Sequence, residues 1–266
     1  MRIGIAGCAG RMGRMLVRAV LDAPEACLVA GCERPGHPSL GVDVGVLAGA
    51  AAIGVSVGAD AEEVFTLADA VIDFSMPEAT TAHARLAATH RVALVAGTTG
   101  LGEPQHAALA DAARLTPVVQ AANMSVGVNL LLALTRQVAA LLGPDYDIEI
   151  VEMHHRHKVD APSGTALALG AAAADGRRVA LPAAAIRSRD GITGARPAGA
   201  IGFATLRGGD VVGEHTVIFA GEGERIELTH KASSRQVFAA GAVRAALWTA
   251  GRPPGLYGMR DVLGIG

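Results

Sequence analysis

Arg2-Ile3-Gly4-Ile5-Ala6-Gly7-Cys8-Ala9-Gly10-Arg11-Met12-Gly13 opens the chain. Residues 2–6 read as a short apolar strand. Glycines at 7, 10 and 13 follow as GxxGxxG, and Met15, Leu16, Ala19 and Val20 then recur at helical spacing. Strand, glycine turn and helix form the local plan of a phosphate-binding turn. The glycines let the main chain approach a pyrophosphate, and the helix start offers N–H groups at its positive dipole end. The spacing is looser than GxGxxG, so the neighbouring sequence has to support the reading.

It does so strand by strand. Residues 26–32 form a second strand ending in Glu33, where a carboxylate can hold ribose hydroxyls, and Arg34 beside it could meet the extra phosphate of NADPH. The pair predicts loose discrimination between NADH and NADPH. Strands over 70–74, 91–96 and 117–121 alternate with helices over 78–89 and 103–115. Pro77 suits the first turn of its helix, where a missing N–H costs nothing. Apolar strands alternating with helices predict a parallel sheet covered on both faces, with ligands beyond the strand ends. Gly97-Thr98-Thr99-Gly100 and Ala122-Asn123-Met124-Ser125 fall at such ends. Their small residues and side-chain oxygens suit a nicotinamide and its ribose.

The second half changes character. After an apolar helix over 126–142, strand patterns dominate at 147–152, 201–207, 211–220 and 225–231, with Gly208-Gly209-Asp210 as a turn. A largely antiparallel sheet in a separate substrate domain is expected. Residues 177–197 read as loop, and a last helix over 237–248 is expected to return to the first domain.

Bulk composition narrows the function classes. The chain has 266 residues, 51% hydrophobic and 18% charged, so it folds; aromatics are 3%, so the core is aliphatic. A net charge of -2 gives no field for nucleic acid or an acidic membrane. Cys8, Cys27 and Cys32 lack CxxC spacing, which argues against a disulfide scaffold or structural zinc and for a reducing cytoplasm. No signal peptide is visible at the N-terminus. The apolar run over 126–143 is interrupted by Asn129, Arg136 and Gln137 and is expected to be a buried helix.

Chemistry concentrates at Glu152-Met153-His154-His155-Arg156-His157-Lys158-Val159-Asp160-Ala161-Pro162-Ser163-Gly164-Thr165. Three of the nine histidines lie here, as does one of only two lysines among 23 basic residues. The cluster sits at a strand exit, and Ser163 is a plausible N-cap for the next helix. Gly164 and Thr165 then open an anion site, with His155 and Lys158 adding charge. Lysine and histidine can surrender a proton where arginine cannot, and cationic neighbours or partial burial ease lysine's release. His154 and Lys158 are therefore the candidate proton donors, with the choice between them open. A metal site is not expected: adjacent strand residues point to opposite faces, and no HExxH or nearby cysteine joins the histidines.

Gly7 to Gly13, Gly97 to Gly100, Ala122 to Gly127 and above all EMHHRHKVDAPSGTAL resemble the 4-hydroxy-tetrahydrodipicolinate reductase (dihydrodipicolinate reductase) family. Residues 201–204, 212–216 and 229–235 fit it as well. The resemblance implies a bacterial enzyme of lysine and diaminopimelate synthesis that moves hydride from NADH or NADPH to a cyclic dicarboxylate and releases water. It implies an α/β fold: a Rossmann-type parallel-sheet domain (1–125 and 236–266) plus a mixed α/β substrate and tetramerisation domain (126–235), in a cytoplasmic homotetramer. It implies His154 as general acid/base and Lys158 as proton donor. Substrate contacts are expected at His155, Ser163, Gly164, Thr165 and Arg235. Cofactor contacts are expected at Gly7, Cys8, Ala9, Gly10, Arg11, Met12, Glu33, Arg34, Gly97, Thr98, Thr99, Ala121, Ala122, Asn123 and Met124. Met76 stands where some relatives carry a basic residue, so the NADPH preference stays open. Two other readings are a dehydrogenase of an aspartate-derived aldehyde, which needs a cysteine near the nicotinamide, and a nucleotide-sensing regulator, which needs a DNA-binding element. Turnover separates these from the reductase.

Overall fold

The computed structural model describes residues 1–265. It divides into two compact units, Met1–Val126 with Arg235–Ile265, and Gly127–Ser234.

The first unit begins β1 (Arg2–Ala6), α1 (Arg11–Leu21), β2 (Cys27–Cys32), α2 (Val44–Leu47), β3 (Val57–Gly58) and α3 (Ala61–Leu67). It continues β4 (Ala70–Asp73), α4 (Pro77–His90), β5 (Ala93–Ala96), α5 (Glu103–Ala112) and β6 (Pro117–Gln120). The second unit holds α6 (Val126–Leu142), β7 (Asp147–His154), α7 (Gly164–Arg177), α8 (Leu181–Ala184), β8 (Ala185–Ile186), β9 (Ile201–Arg207), β10 (Gly213–Ala220) and β11 (Arg225–Ala232). The chain then returns to the first unit with α9 (Gln236–Trp248), β12 (Gly255–Tyr257) and α10 (Met259–Leu263).

The first sheet has seven parallel strands in the order β12-β6-β5-β4-β1-β2-β3. β4 and β5 are buried at every position because helices cover both faces, which explains the apolar runs over 70–72 and 93–96. One face packs Ile3, Ile5 and Ile72 under α1 and α9, and the other packs Val71, Leu94 and Val118 under α3, α4 and α5. The strand order reverses between β1 and β4, and ligands bind beyond the strand ends at such a reversal. The Rossmann-type expectation therefore holds. The short β3, α2 and α3 go beyond the strands and helices expected from the sequence. Their hydrophobic runs are too brief for a periodic signal, although Asp60 capping Glu62 N at the start of α3 is an ordinary helix-start device.

The second sheet has the order β11-β10-β7-β9-β8. It is mixed, where a largely antiparallel sheet was expected. β10 runs antiparallel to β7 and β11, but β9 pairs in parallel with both β7 and β8. The long connection through α7 permits the parallel pairing. Residues 177–197, expected as loop, contain α8 and β8. Ile148, Ile150, Phe203, Val217 and Phe219 meet Leu131, Ala166, Leu169 and Ala173 in one core, so α6 and α7 cover a single face of the sheet. The segment Val126–Asp145 is long and apolar enough to cross a membrane by length and composition. Within this unit α6 instead buries one stripe, including Leu131, Thr135 and Ala139, and leaves Leu130, Leu134 and Leu141 exposed. The expectation of a buried helix is corrected to one buried side, because only that side meets the sheet.

Gly13 fixes how closely α1 approaches the first turn. A Cβ there would sit 2.1 Å from Gly7 O and 2.7 Å from the Cys8 backbone, neither of which can swing aside. Gly13→Ala is expected to lower stability by about 3 kcal/mol through overpacking, read as a fall in the urea midpoint. An unchanged midpoint would contradict this packing.

Candidate functional site

The first unit carries a cleft of about 520 Å³. Arg11 and Met12 enter it from the first turn of α1, Gly97, Thr98 and Thr99 from the end of β5, and Ala122, Asn123 and Met124 from the end of β6. Phe74, Ser75 and Phe238 join them, although none was singled out from the sequence. Gly10 is the N-cap of α1 and has no side chain to spend on the first-turn N–H groups, so these suit an anion. Gly7 adopts a φ of 73°, open to glycine at little cost. At Gly97 a Cβ would lie 2.2 Å from the Phe74 ring, so only glycine lets that ring lie against the turn. Met124 is held the same way from α9, where a Cβ on Gly241 would fall 1.8 Å from Met124 O. These backbone approaches and the uncapped helix start fit a nicotinamide dinucleotide.

Other expected cofactor residues shape the turn and do not line this cleft. Gly7, Cys8, Ala9 and Gly10 make the turn itself, and Ala121 packs against the core. Glu33 Oε1 accepts from Ala9 N at 2.9 Å, tying the end of β2 to the turn, and Arg34 is exposed beyond it. Cys8 is fully buried, and its thiol is pushed up to about 12 by burial, with Cys32 and Glu33 adding to the effect. Burial likewise pushes Cys32 up to about 11. Neither thiol can serve as a nucleophile near neutral pH. Arg235, expected beside the substrate residues, belongs to the first unit and lines the cofactor cleft.

The second unit assembles the histidine stretch around a residue not singled out from sequence. Glu152 is 1% exposed on β7. Its carboxylate accepts from His154 Nδ1 at 2.5 Å, Ser163 N at 3.0 Å, and the two Arg207 nitrogens at 2.8 and 2.9 Å. Glu152 and His154 lie two apart on one strand and so share a face. That spacing was legible; Arg207, which pairs with His154 across the β7–β9 register, was not. Ser163 caps α7, its hydroxyl accepting from Ala166 N and sharing a hydrogen bond with His215 Nε2 at 3.1 Å. The hydroxyl and N–H of Ser163 are thus engaged inside the unit, while Gly164 and Thr165 begin the helix beside it. His155 is half-buried, and Lys158 Nζ donates to Asp160 Oδ1 at 2.7 Å. The close charged partner of Lys158 is thus a carboxylate, and its side chain is partly buried, one of the two conditions expected from the sequence.

Burial pushes the Glu152 carboxyl up, but Arg207, His154 and Ser163 N hold it below the ordinary range, so it is ionised. A carboxylate only accepts, so the proton in the short contact sits on His154 Nδ1 and leaves Nε2 for proton exchange. Burial pulls His154 below its usual 6.5; Glu152 opposes this, and Lys158 and Arg207 add to it. Burial, with His154 adding, lowers His215 to about 4. Gly213 admits the His154 ring, since a Cβ there would come 3.0 Å from Nε2.

A dinucleotide cleft at the sheet reversal, together with a carboxylate-held histidine and a lysine beside a helix start, defines a nicotinamide-dependent oxidoreductase. Comparison with known proteins narrows the class. Residues 1–124 match the family model described as dihydrodipicolinate reductase, N-terminus, and residues 127–263 match dihydrodipicolinate reductase, C-terminus. The chain belongs to the dihydrodipicolinate reductase family. It is 57% identical over 267 residues to the 4-hydroxy-tetrahydrodipicolinate reductase of Methylocella silvestris, covering 100% of this chain and 98% of that one. It is 58% identical over 263 residues to the protein of the same name from Dinoroseobacter shibae, covering 99% and 98%. Among solved structures it resembles a dipicolinate-bound dihydrodipicolinate reductase from Paenisporosarcina sp. TG-14, with a TM-score of 0.79, 26% identity and 98% coverage of both chains. An amine dehydrogenase from Mycobacterium smegmatis, with a TM-score of 0.60 and 14% identity over 96% and 94% of the chains, shares the fold alone.

His154 is held below 6.5 in the folded chain, so its contribution to stability is present above about that pH and is lost as pH falls through the folded value. Glu152→Gln removes the charge that opposes the downward shift. The His154 midpoint, followed by NMR, should move further down, and stability should fall by about 3 kcal/mol because Arg207 loses its buried partner. A midpoint that rises would contradict the arrangement.

Proposed function

We propose that the protein reduces 4-hydroxy-tetrahydrodipicolinate to tetrahydrodipicolinate, with hydride from NADH or NADPH and release of water, in lysine and diaminopimelate synthesis. The observation that carries this reading is the engagement of His154 and Ser163 by one buried carboxylate, Glu152. It holds a proton-exchanging imidazole and an anion-binding helix start in one fixed frame. When bound, the reduced nicotinamide supplies the hydride. Gly164 and Thr165, with His155, bind a substrate carboxylate at the positive end of α7. Arg235 is assigned a further cationic contact to the substrate. Lys158 gives up the proton that quenches negative charge developing on the substrate ring, and His154 exchanges protons through Nε2 as general acid/base. In the cleft, Arg11 and the first turn of α1 hold the pyrophosphate, and Glu33, beside the turn, takes a ribose hydroxyl. Arg34, exposed next to it, lets the phosphate of NADPH be accepted as well.

The proposal includes a cytoplasmic homotetramer built on the second sheet. Val151, Ala204, Thr216 and Thr229 align in one cross-strand row, and Met153, Leu206, Glu214 and Lys231 in the next. They point away from the face that α6 and α7 cover. Small and apolar side chains, with Ala204 and Leu206 exposed, lie beside the Glu214–Lys231 ion pair and suit burial against another copy. Free thiols at Cys8, Cys27 and Cys32 suit a reducing compartment.

The experiment is oxidation of NADH and NADPH in parallel, with substrate generated in place from pyruvate and aspartate semialdehyde by its synthase. Oxidation is expected only with the synthase product. His154→Ala and Lys158→Ala should each lower kcat about a hundredfold or more while leaving the NADH Kd within twofold. Collapse of NADH affinity in either variant would remove these residues from the proton-transfer role.

A further inference from the structure

Asp73, at the end of β4, is fully buried. Its Oδ1 accepts from Ser75 N at 3.0 Å and from Ser75 Oγ at 2.5 Å, and its Oδ2 accepts from Thr80 Oγ1 at 2.8 Å. His83 Nδ1 lies 3.1 Å from Oδ2, near enough for attraction but poorly aligned for a hydrogen bond. Burial pushes this carboxyl up, yet His83, Ser75 and Thr80 hold it below the ordinary range, so it is an anion at neutral pH. The hydroxyls of Thr80 and Thr98 are 2.9 Å apart. Ser75 and Thr98 line the cofactor cleft.

Proton counting settles the direction of every bond in this chain. A carboxylate only accepts, and a hydroxyl has one proton to give. Thr80 lies in donor position to both Asp73 Oδ2 and Thr98 Oγ1 but has one proton; the buried carboxylate is the stronger acceptor and takes it, which leaves Thr98 to donate in the Thr80–Thr98 contact. Ser75 also spends its proton on Asp73. Both cleft-lining hydroxyls therefore have their protons turned inward and only lone pairs left for a ligand. We propose that Asp73 sets the hydrogen-bond polarity of the cleft, making Ser75 and Thr98 acceptors, so that this part of it takes N–H and O–H donors of the nicotinamide-ribose half and rejects phosphate oxygens. Thr80 is the positioning residue that carries this polarity to Thr98. The proposal rests on the cofactor reading of the cleft and is independent of the substrate.

The test is calorimetric titration with NADH, without substrate, of the wild type and of Thr80→Val, Thr80→Ser, Thr98→Val and the double variant Thr80→Val/Thr98→Val. Losing one oriented hydrogen bond should weaken binding about three- to tenfold in Thr80→Val. Thr80→Ser, which keeps the hydroxyl, should bind within twofold of wild type. The double variant should bind no more weakly than Thr98→Val alone, because Thr80 acts through Thr98; two independent structural losses would multiply. Wild-type affinity in Thr80→Val, equal loss in Thr80→Ser, or multiplied losses in the double variant would each overturn the proposal. Should Thr80→Val fail to fold, Thr98→Val alone decides, since undiminished affinity there overturns it. A wild-type protein that does not bind NADH would overturn the cofactor reading itself, whereas absent turnover with intact NADH binding would overturn only the substrate assignment.

Discussion

A buried carboxylate without partners would cost several kcal/mol, and Glu152 is 1% exposed. It is tolerated because four donors converge on it: His154 Nδ1, Ser163 N and two nitrogens of Arg207. They come from β7, from the cap of α7 and from β9. One ionised group therefore ties the middle of the second sheet to the start of α7. The same contact chooses the tautomer of His154 and so determines which ring nitrogen can exchange protons. Stability and chemistry depend here on one desolvated charge, which is why neither can be altered at this position alone.

Asp73 plays a comparable part in the first unit with different chemistry. It has no arginine and is held by Ser75, Thr80 and a nearby His83. Its hydroxyl partners carry orientation outward to the cleft wall, while Glu152 orients an imidazole directly. In both units a buried acid at or near the end of a strand orients the side chains around it. The side chains that would meet a ligand are thus aimed by groups that do not meet it.

Much of this was legible in the sequence where the physics is local. The glycine turn declares itself through spacing, because Gly7 needs a positive φ and Gly13 lies against backbone. β4 and β5 declare themselves through the apolar runs over 70–72 and 93–96, because both faces are covered. Ser163 reads as a cap from its place before a helical run. The partners that complete each site are a different matter. Arg207 reaches Glu152 only through the parallel register of β7 with β9, and His215 reaches Ser163 from β10, 52 residues away. Ser75 and Thr80 look like ordinary turn and helix residues until the end of β5, with Thr98, is set beside α4. Arg235 was named from its motif alone; its place at the start of α9, where it lines the cleft of the first unit, follows from the fold.

The central claim is that Glu152 fixes His154 with its proton on Nδ1, leaving Nε2 to exchange protons with the substrate. Nitrogen-15 NMR of histidine-labelled protein at pH 8, with His154 assigned by substitution, measures this directly. The account predicts a protonated Nδ1, with its attached proton shifted strongly downfield by the short contact to Glu152, and an unprotonated Nε2. A His154 protonated on Nε2, or one exchanging freely between tautomers, would contradict it.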